Sequence, residues 1–152
     1  MDANKKTYKN WNDLIFYCTY SANPVGRFVI DLVHRNENIR ESKLKKIYNA
    51  SDNLCTSLQI INHIQDCKKD FQNLNRVYIP NSFFKKFGIS NKILNSSFSD
   101  ASFRALIIEL IEKVEIMLRN SVKGLTMIKP WRLRKETLII LNIAKRLCYL
   151  LK

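Results

Sequence analysis

The chain has 152 residues, 46% of them hydrophobic, which suits one globular domain of ordinary size and excludes a disordered tract. Lysine and arginine outnumber acidic residues by 26 to 13, a formal net charge of +13, so nucleic acid, an anionic membrane and a phosphate-bearing substrate are all electrostatically admissible partners. Only three glycines and three prolines punctuate the chain. With no Asn-Gly-punctuated alternation to argue for a sheet, long helices are the predicted content.

The charge is diffuse. Lys5-Lys6, Lys43-Lys45-Lys46, Lys68-Lys69, Lys85-Lys86 and Arg132-Arg134 stand apart, and no block reaches five like charges. Lysines outnumber arginines by 17 to 9, and isoleucine and asparagine, which share AT-rich codons with lysine, are also abundant. Compositional drift is therefore weighted above nucleic acid, no nucleic-acid partner is expected, and an anionic phosphate substrate stays compatible. Cys18, Cys55, Cys67 and Cys148 form no CxxC pair, which points to reduced, buried thiols in a cytoplasmic protein. His34 and His63 are isolated, and neither has metal spacing to a cysteine. The most apolar windows, Ala105 to Leu118 and Thr137 to Leu151, are broken by Glu109, Glu112, Lys113, Lys145 and Arg146, short of the roughly 18 uninterrupted residues of a span. The expected location is cytoplasmic, with peripheral membrane contact through a basic amphipathic surface as the alternative.

In chain order, a helix is predicted from about Asn12 to His34, capped by Asn12 or Asp13 and kinked at Pro24. Another element begins near Glu41, and a main helix spans about Ser51 to Phe71. Val77-Tyr78-Ile79-Pro80 reads as extended, since residues before proline avoid the helical region. Asn81 to Phe87 reads as a short helix with Gly88 as its C-cap. Ser99 opens a long helix with an apolar stripe from Phe103 to Leu118, Gly124 to Pro130 is a break, and Trp131 to Leu151 is a last helix, apolar over much of its circumference. Such a helix is buried or awaits a partner.

The chemistry-bearing stretch lies in the main helix. Gln59, Asn62, Asp66 and Asp70 follow at steps of three, four and four, which places them on one stripe, with Leu54, Ile60, Ile61, Ile64, Cys67 and Phe71 on the other side. Two carboxylates one turn apart, preceded by an amide oxygen, suit a hard divalent cation such as Mg²⁺, which takes one or two carboxylates plus substrate phosphates. The competing reading is the solvated face of an amphipathic helix.

Three segments in order carry a resemblance. Tyr17-Cys18-Thr19-Tyr20-Ser21-Ala22-Asn23-Pro24-Val25-Gly26-Arg27, the stretch from Ser51-Asp52 through Gln59, Asn62, Asp66 and Asp70, and Arg76-Val77-Tyr78-Ile79-Pro80 resemble motifs of the squalene/phytoene synthase family, closest to the bacterial presqualene diphosphate/hydroxysqualene synthase branch. The resemblance implies an all-α isoprenoid-synthase-type helical bundle around a central cavity, and head-to-head transfer between farnesyl-type diphosphates with Mg²⁺. It implies Asn62, Asp66 and Asp70 as metal ligands, Asp66, Asp70 and Tyr78 as catalytic residues, and Arg76 beside a diphosphate. Gln59 would face the cavity, and Tyr17, Ala22, Val25 and Gly26 would line the isoprenoid channel. For Gly26 and Ala22, tight helix packing is an equally good reading.

Gln65 and Asn75 stand where the family commonly has Arg and Gly. The family's first aspartate-rich motif, DxxxD, has no counterpart, since only Asp2 and Asp13 precede Tyr17. The expectation is therefore an incomplete bundle: residues 1–152 as a single partial domain, the central to C-terminal part of such an enzyme, inactive alone and completed by an N-terminal fragment. The alternative is a non-catalytic synthase-like protein acting in binding or assembly.

Overall fold

Seven α-helices and one 3-10 turn organise residues 6–152, the part of the chain described by the computed structural model, and no strand occurs among them. Asp2 and Lys5 lie outside those residues. The all-α expectation is met.

Helix α1 (Trp11–Ser21) starts one residue early. Its cap is Asn10, whose side chain accepts from the Asp13 amide at 3.0 Å, while the Asp13 carboxylate accepts from the Lys9 amide at 2.9 Å. This reciprocal pairing satisfies donors at a helix start. The single kinked helix is in fact two. Ala22 (φ −114°, ψ −45°) separates α1 from α2 (Asn23–His34) and leaves Pro24 in the first turn of α2, where a missing amide hydrogen costs no helical bond.

Helix α3 runs Glu41–Gln65, ten residues earlier than expected at its start, and stops before Phe71. At Asp66 the amide is shared between the carbonyls of Asn62 and Ile64 and ψ is 3°, which turns the axis into α4 (Cys67–Leu74). Helix α4 leans on the 3-10 turn at Asn91–Asn95, and Lys68 Nζ donates to the Ser96 carbonyl at 3.0 Å. Helix α5 (Asn81–Lys86) ends near Gly88, which has φ +65°. Asp100 caps α6 (Ala101–Leu125) by accepting from the Phe103 amide at 2.7 Å, and α7 is Trp131–Leu151.

Helix α3 is the axis of the core. Ile47, Leu54, Ile60, Ile61 and Ile64 pack among Leu106, Leu110, Ile111, Val114 and Leu118 of α6, all buried. Each fully buried side chain of this kind contributes about 1.5–3 kcal/mol. Gly124 of α6 sits directly against Ala50 and the Lys46 carbonyl of α3. Helices α1, α2 and α7 pack on other flanks of α3.

Helix α2 is inverted relative to an ordinary surface helix. It buries Asn23, Ile30 and His34 and turns Val25, Phe28 and Leu32 outward, each at least 59% exposed. For Asn23 the buried polar cost is met by α3, because Thr56 Oγ1 donates to Asn23 Oδ1 at 2.8 Å, whereas His34 pairs through Nδ1 with the Ile30 carbonyl at 2.9 Å and leaves Nε2 without a partner among the described residues. Helix α7 likewise buries only Leu141, Ala144 and Cys148, leaving Ile139, Ile140, Ile143, Tyr149 and Leu150 exposed.

All four cysteines are free. Burial pushes the Cys18 thiol up to about 12 and Cys148 up to about 11, and raises Cys55 and Cys67 as well, so the thiols stay protonated. Among the described residues, no helix is long and apolar enough to cross a membrane.

Candidate active site

The break at Asp66 does not scramble the stripe. The Asp66 amide donates to the Asn62 carbonyl at 2.9 Å, and the Asp70 amide to the Asp66 carbonyl at 2.8 Å. Asn62, Asp66 and Asp70 therefore still follow one another at single-turn intervals, although they belong to α3, its C-cap and α4 rather than to one helix. Burial and then the neighbouring Asp66 carboxylate push the Asp70 carboxyl above the usual carboxylate range. Lys69 and Arg76 pull the other way. Among the described residues no group of three or more His, Cys, Asp or Glu side chains could hold a metal. What exists is a pair of carboxylates one turn apart with an amide oxygen one turn before. That hard-oxygen donor set fits a Mg²⁺ ion that takes its remaining ligands from water and phosphate.

A tight chain reversal brings Arg76 back beside Asp70. Asn75 ends α4 in the left-handed region (φ +50°, ψ +42°), and the Asn75 and Arg76 amides donate to the carbonyls of Phe71 and Asp70, each at 3.2 Å. Asparagine tolerates this conformation better than other non-glycine residues, which explains its presence where glycine was anticipated. Asn75→Ala is expected to lower stability by about 1 kcal/mol and Asn75→Gly to leave it nearly unchanged. Thermal melts of the two variants provide the measurement, and equal melting points would argue against a conformational role.

Farther along α3 the stripe meets a groove of about 310 Å³. Ser21, Ala22 and Val25 form one wall, Cys55, Leu58, Gln59, Ile61, Asn62 and Gln65 of α3 form the floor, and Leu147 of α7 closes the other side. Four of the expected site residues, Ala22, Val25, Gln59 and Asn62, are thus brought together from two elements. Asp66 and Asp70 lie beyond the groove, one and two turns past Asn62.

The remaining expected residues are elsewhere. Gly26 is not in the groove wall. A methyl group placed there would collide with Ser51 Oγ and lie 2.6 Å from Cys55 Sγ, so the glycine permits close approach of α2 to α3. Tyr17 and Tyr78 belong to an aromatic cluster beneath the stripe. Tyr78 is buried and stacks on His63 with ring centroids 3.5 Å apart and planes 6° apart. Tyr8 stacks on the Tyr78 side at 5.7 Å, and Tyr17 contacts Tyr8, His63 and Tyr78 at 5.3, 5.9 and 6.0 Å. Arg76 Nη1 donates to the Tyr78 hydroxyl at 3.4 Å, and Gln59 Nε2 donates to His63 Nε2 at 3.0 Å. A continuous path Asp70–Arg76–Tyr78–His63–Gln59 therefore joins the acidic pair to the groove. His63, Tyr8 and Leu147 were not anticipated. The signal for His63 was its position four residues after Gln59, one turn along the same helix and flanking the stripe. Tyr8 is delivered by a parallel bridge between Thr7 and Val77, which has no local sequence signature.

The squalene/phytoene synthase family model matches residues 1–151. A hydroxysqualene synthase from Sinorhizobium fredii is 41% identical over 152 residues, covering all of this chain and 49% of that protein. A hydroxysqualene synthase from Rhodopseudomonas palustris is 36% identical over 152 residues, again all of this chain and 49% of the relative. The fold matches the crystal structure of squalene synthase HpnC from Alicyclobacillus acidocaldarius, with a TM-score of 0.74 and 27% identity over 97% of this chain and 56% of that one. The chain thus spans about half the length of the curated relatives it matches. With the helical fold, the ordered motifs and these likenesses together, the chain belongs to the squalene/phytoene synthase family.

Proposed function

We propose that this chain forms one half of a head-to-head prenyl-transferring synthase of the hydroxysqualene type, acting on farnesyl-type diphosphates. The observation that carries the reading is the junction of two environments on α3. An apolar groove walled by Ala22, Val25, Leu58, Ile61 and Leu147 continues, turn by turn, into Asn62, Asp66, Asp70 and Arg76. A prenyl diphosphate has that same division into hydrocarbon and anion. Arg76 and the acidic pair mark the diphosphate end, while the groove excludes water from the chain that becomes cationic when diphosphate departs.

Asn62, Asp66 and Asp70 would hold Mg²⁺, which supplies charge neutralisation of the leaving diphosphate. Asp70 accepts the cost of standing beside Asp66, and Arg76 lowers that cost. Two carboxylates make a half-site, so we infer that the half of the fold not contained in this chain, which the family resemblance places N-terminal, supplies the facing acidic helix. On this reading the chain alone is inactive as a synthase.

Calorimetry with a non-hydrolysable farnesyl diphosphate analogue tests the metal role. Binding is expected to require Mg²⁺ and to fall at least tenfold in Asp66→Ala. Lys68→Ala is expected to bind within twofold of the parent, because the Lys68 ammonium is turned away to the Ser96 carbonyl. Binding that is indifferent to Mg²⁺, or an equal loss in both variants, would defeat the assignment.

A further inference from the structure

We propose that His63 is a positioning residue that aims the Gln59 carboxamide into the prenyl groove and ties it to the diphosphate-side pair Tyr78 and Arg76; the inference rests on the prenyl-transfer reading above. The donor chemistry fixes the arrangement. A carboxamide nitrogen only donates, so in the Gln59 Nε2 to His63 Nε2 contact at 3.0 Å the imidazole nitrogen is the acceptor. An imidazole whose Nε2 accepts in this way carries its proton on Nδ1. With its nitrogen engaged, Gln59 presents Oε1, the negative end of the amide dipole, from a side chain that lines the groove. An oriented carbonyl oxygen stabilises positive charge developing on a hydrocarbon chain and costs no reorganisation when that charge appears.

The imidazole is itself held. It is buried, and it lies flat on the Tyr78 ring at 3.5 Å. Tyr78 is also stacked against Tyr8 and met at its hydroxyl by Arg76. One ring therefore sets both the groove contact and the aromatic that meets the arginine. A shift of His63 would move the two ends of the site together.

Two substitutions separate these contacts from simple packing. His63→Phe keeps a ring on Tyr78 and removes the nitrogen, and Gln59→Leu removes the carboxamide. The chain is combined with the portion of the Sinorhizobium fredii relative that it does not span, and turnover of farnesyl diphosphate is followed. Each single variant is expected to lose about tenfold in kcat/KM, the scale of one hydrogen bond, and the double variant no more than either. In parallel, long-range ¹H–¹⁵N spectra of the chain alone are expected to show His63 Nε2 unprotonated, with a resonance that moves in Gln59→Leu. His63→Phe with parental kcat/KM, or additive losses in the double variant, overturns the proposal. So does a protonated Nε2, or an Nε2 signal unmoved by Gln59→Leu. Absence of product from the unsubstituted pair instead sinks the prenyl-transfer reading, and the spectra still decide the His63 geometry by themselves.

Discussion

Replacing Gly124 by alanine is expected to destabilise the fold by at least about 3 kcal/mol, the upper part of the range for overpacked cores, and to lower the melting temperature by roughly 10 °C at this chain length. The cause is the crossing of α3 and α6, the largest helix–helix contact in the molecule. A methyl group at Gly124 would overlap the Ala50 methyl and lie 2.5 Å from the Lys46 carbonyl oxygen. Neither neighbour can swing away, since one is a backbone atom and the other a Cβ. The whole α3–α6 interface, including Leu110, Ile111, Val114 and Leu118, would have to open to admit it. Gly26→Ala is the internal control. Its added methyl meets Ser51 Oγ and Cys55 Sγ, both able to rotate, so a loss of about 1–2 kcal/mol is expected there. Denaturant titrations of both variants measure the difference, and a Gly124→Ala protein as stable as Gly26→Ala would refute the account of the crossing.

Much of this architecture is legible in the residues because its signals are local. Trp131–Leu151 is bounded by Pro130 and has a continuous helical pattern, and the Phe103–Leu118 stripe marks α6, although its start lies at Ala101 with Asp100 as the cap rather than at Ser99. The stripe Gln59–Asn62–Asp66–Asp70 is a matter of spacing alone. Its register survives the turn at Asp66 because i to i−4 bonds continue on both sides of that residue. The features that escaped depend on contacts distant in sequence. Asp66 ends α3 as α4 turns to meet Asn91–Asn95, twenty-five residues on. The His63–Tyr78 stack closes fifteen positions, with Val77 held by the carbonyl of Lys6 at 2.8 Å. No periodicity within α3 announces either. Gly26 shows a different limit: its smallness was legible, but whether a ligand or a helix occupied the space beside it was not.

In solution the chain alone is expected to associate, and to become monodisperse when paired with the complementary half of the synthase fold. The outward faces carry the argument. Phe16 and Tyr20 of α1, packed edge to face at 5.0 Å, are exposed, as are Val25, Phe28 and Leu32 of α2. Across the groove, α7 exposes Ile139, Ile140, Ile143 and Leu150. Singly exposed apolar residues are ordinary, but a helix that buries Asn23 and His34 while exposing Val25, Phe28 and Leu32 leaves an apolar face of the kind that partners cover. Val25 of the first face and Leu147 of α7 line the groove that holds Gln59 and Asn62, so a partner seated on these helices is expected to border the site. Light scattering of the chain alone is expected to report oligomers that dissociate on titration with the rest of the Sinorhizobium fredii relative. Phe28→Glu with Ile143→Glu is expected to give a soluble monomer that no longer pairs, at least a hundredfold weaker in association, because both charges would be buried at the joint. The core is expected to stay intact in that variant, since both positions are more than half exposed. A parent chain that is monomeric at high concentration, ignores the complementary half and instead binds anionic vesicles would assign these faces to a membrane surface and not to the complementary half.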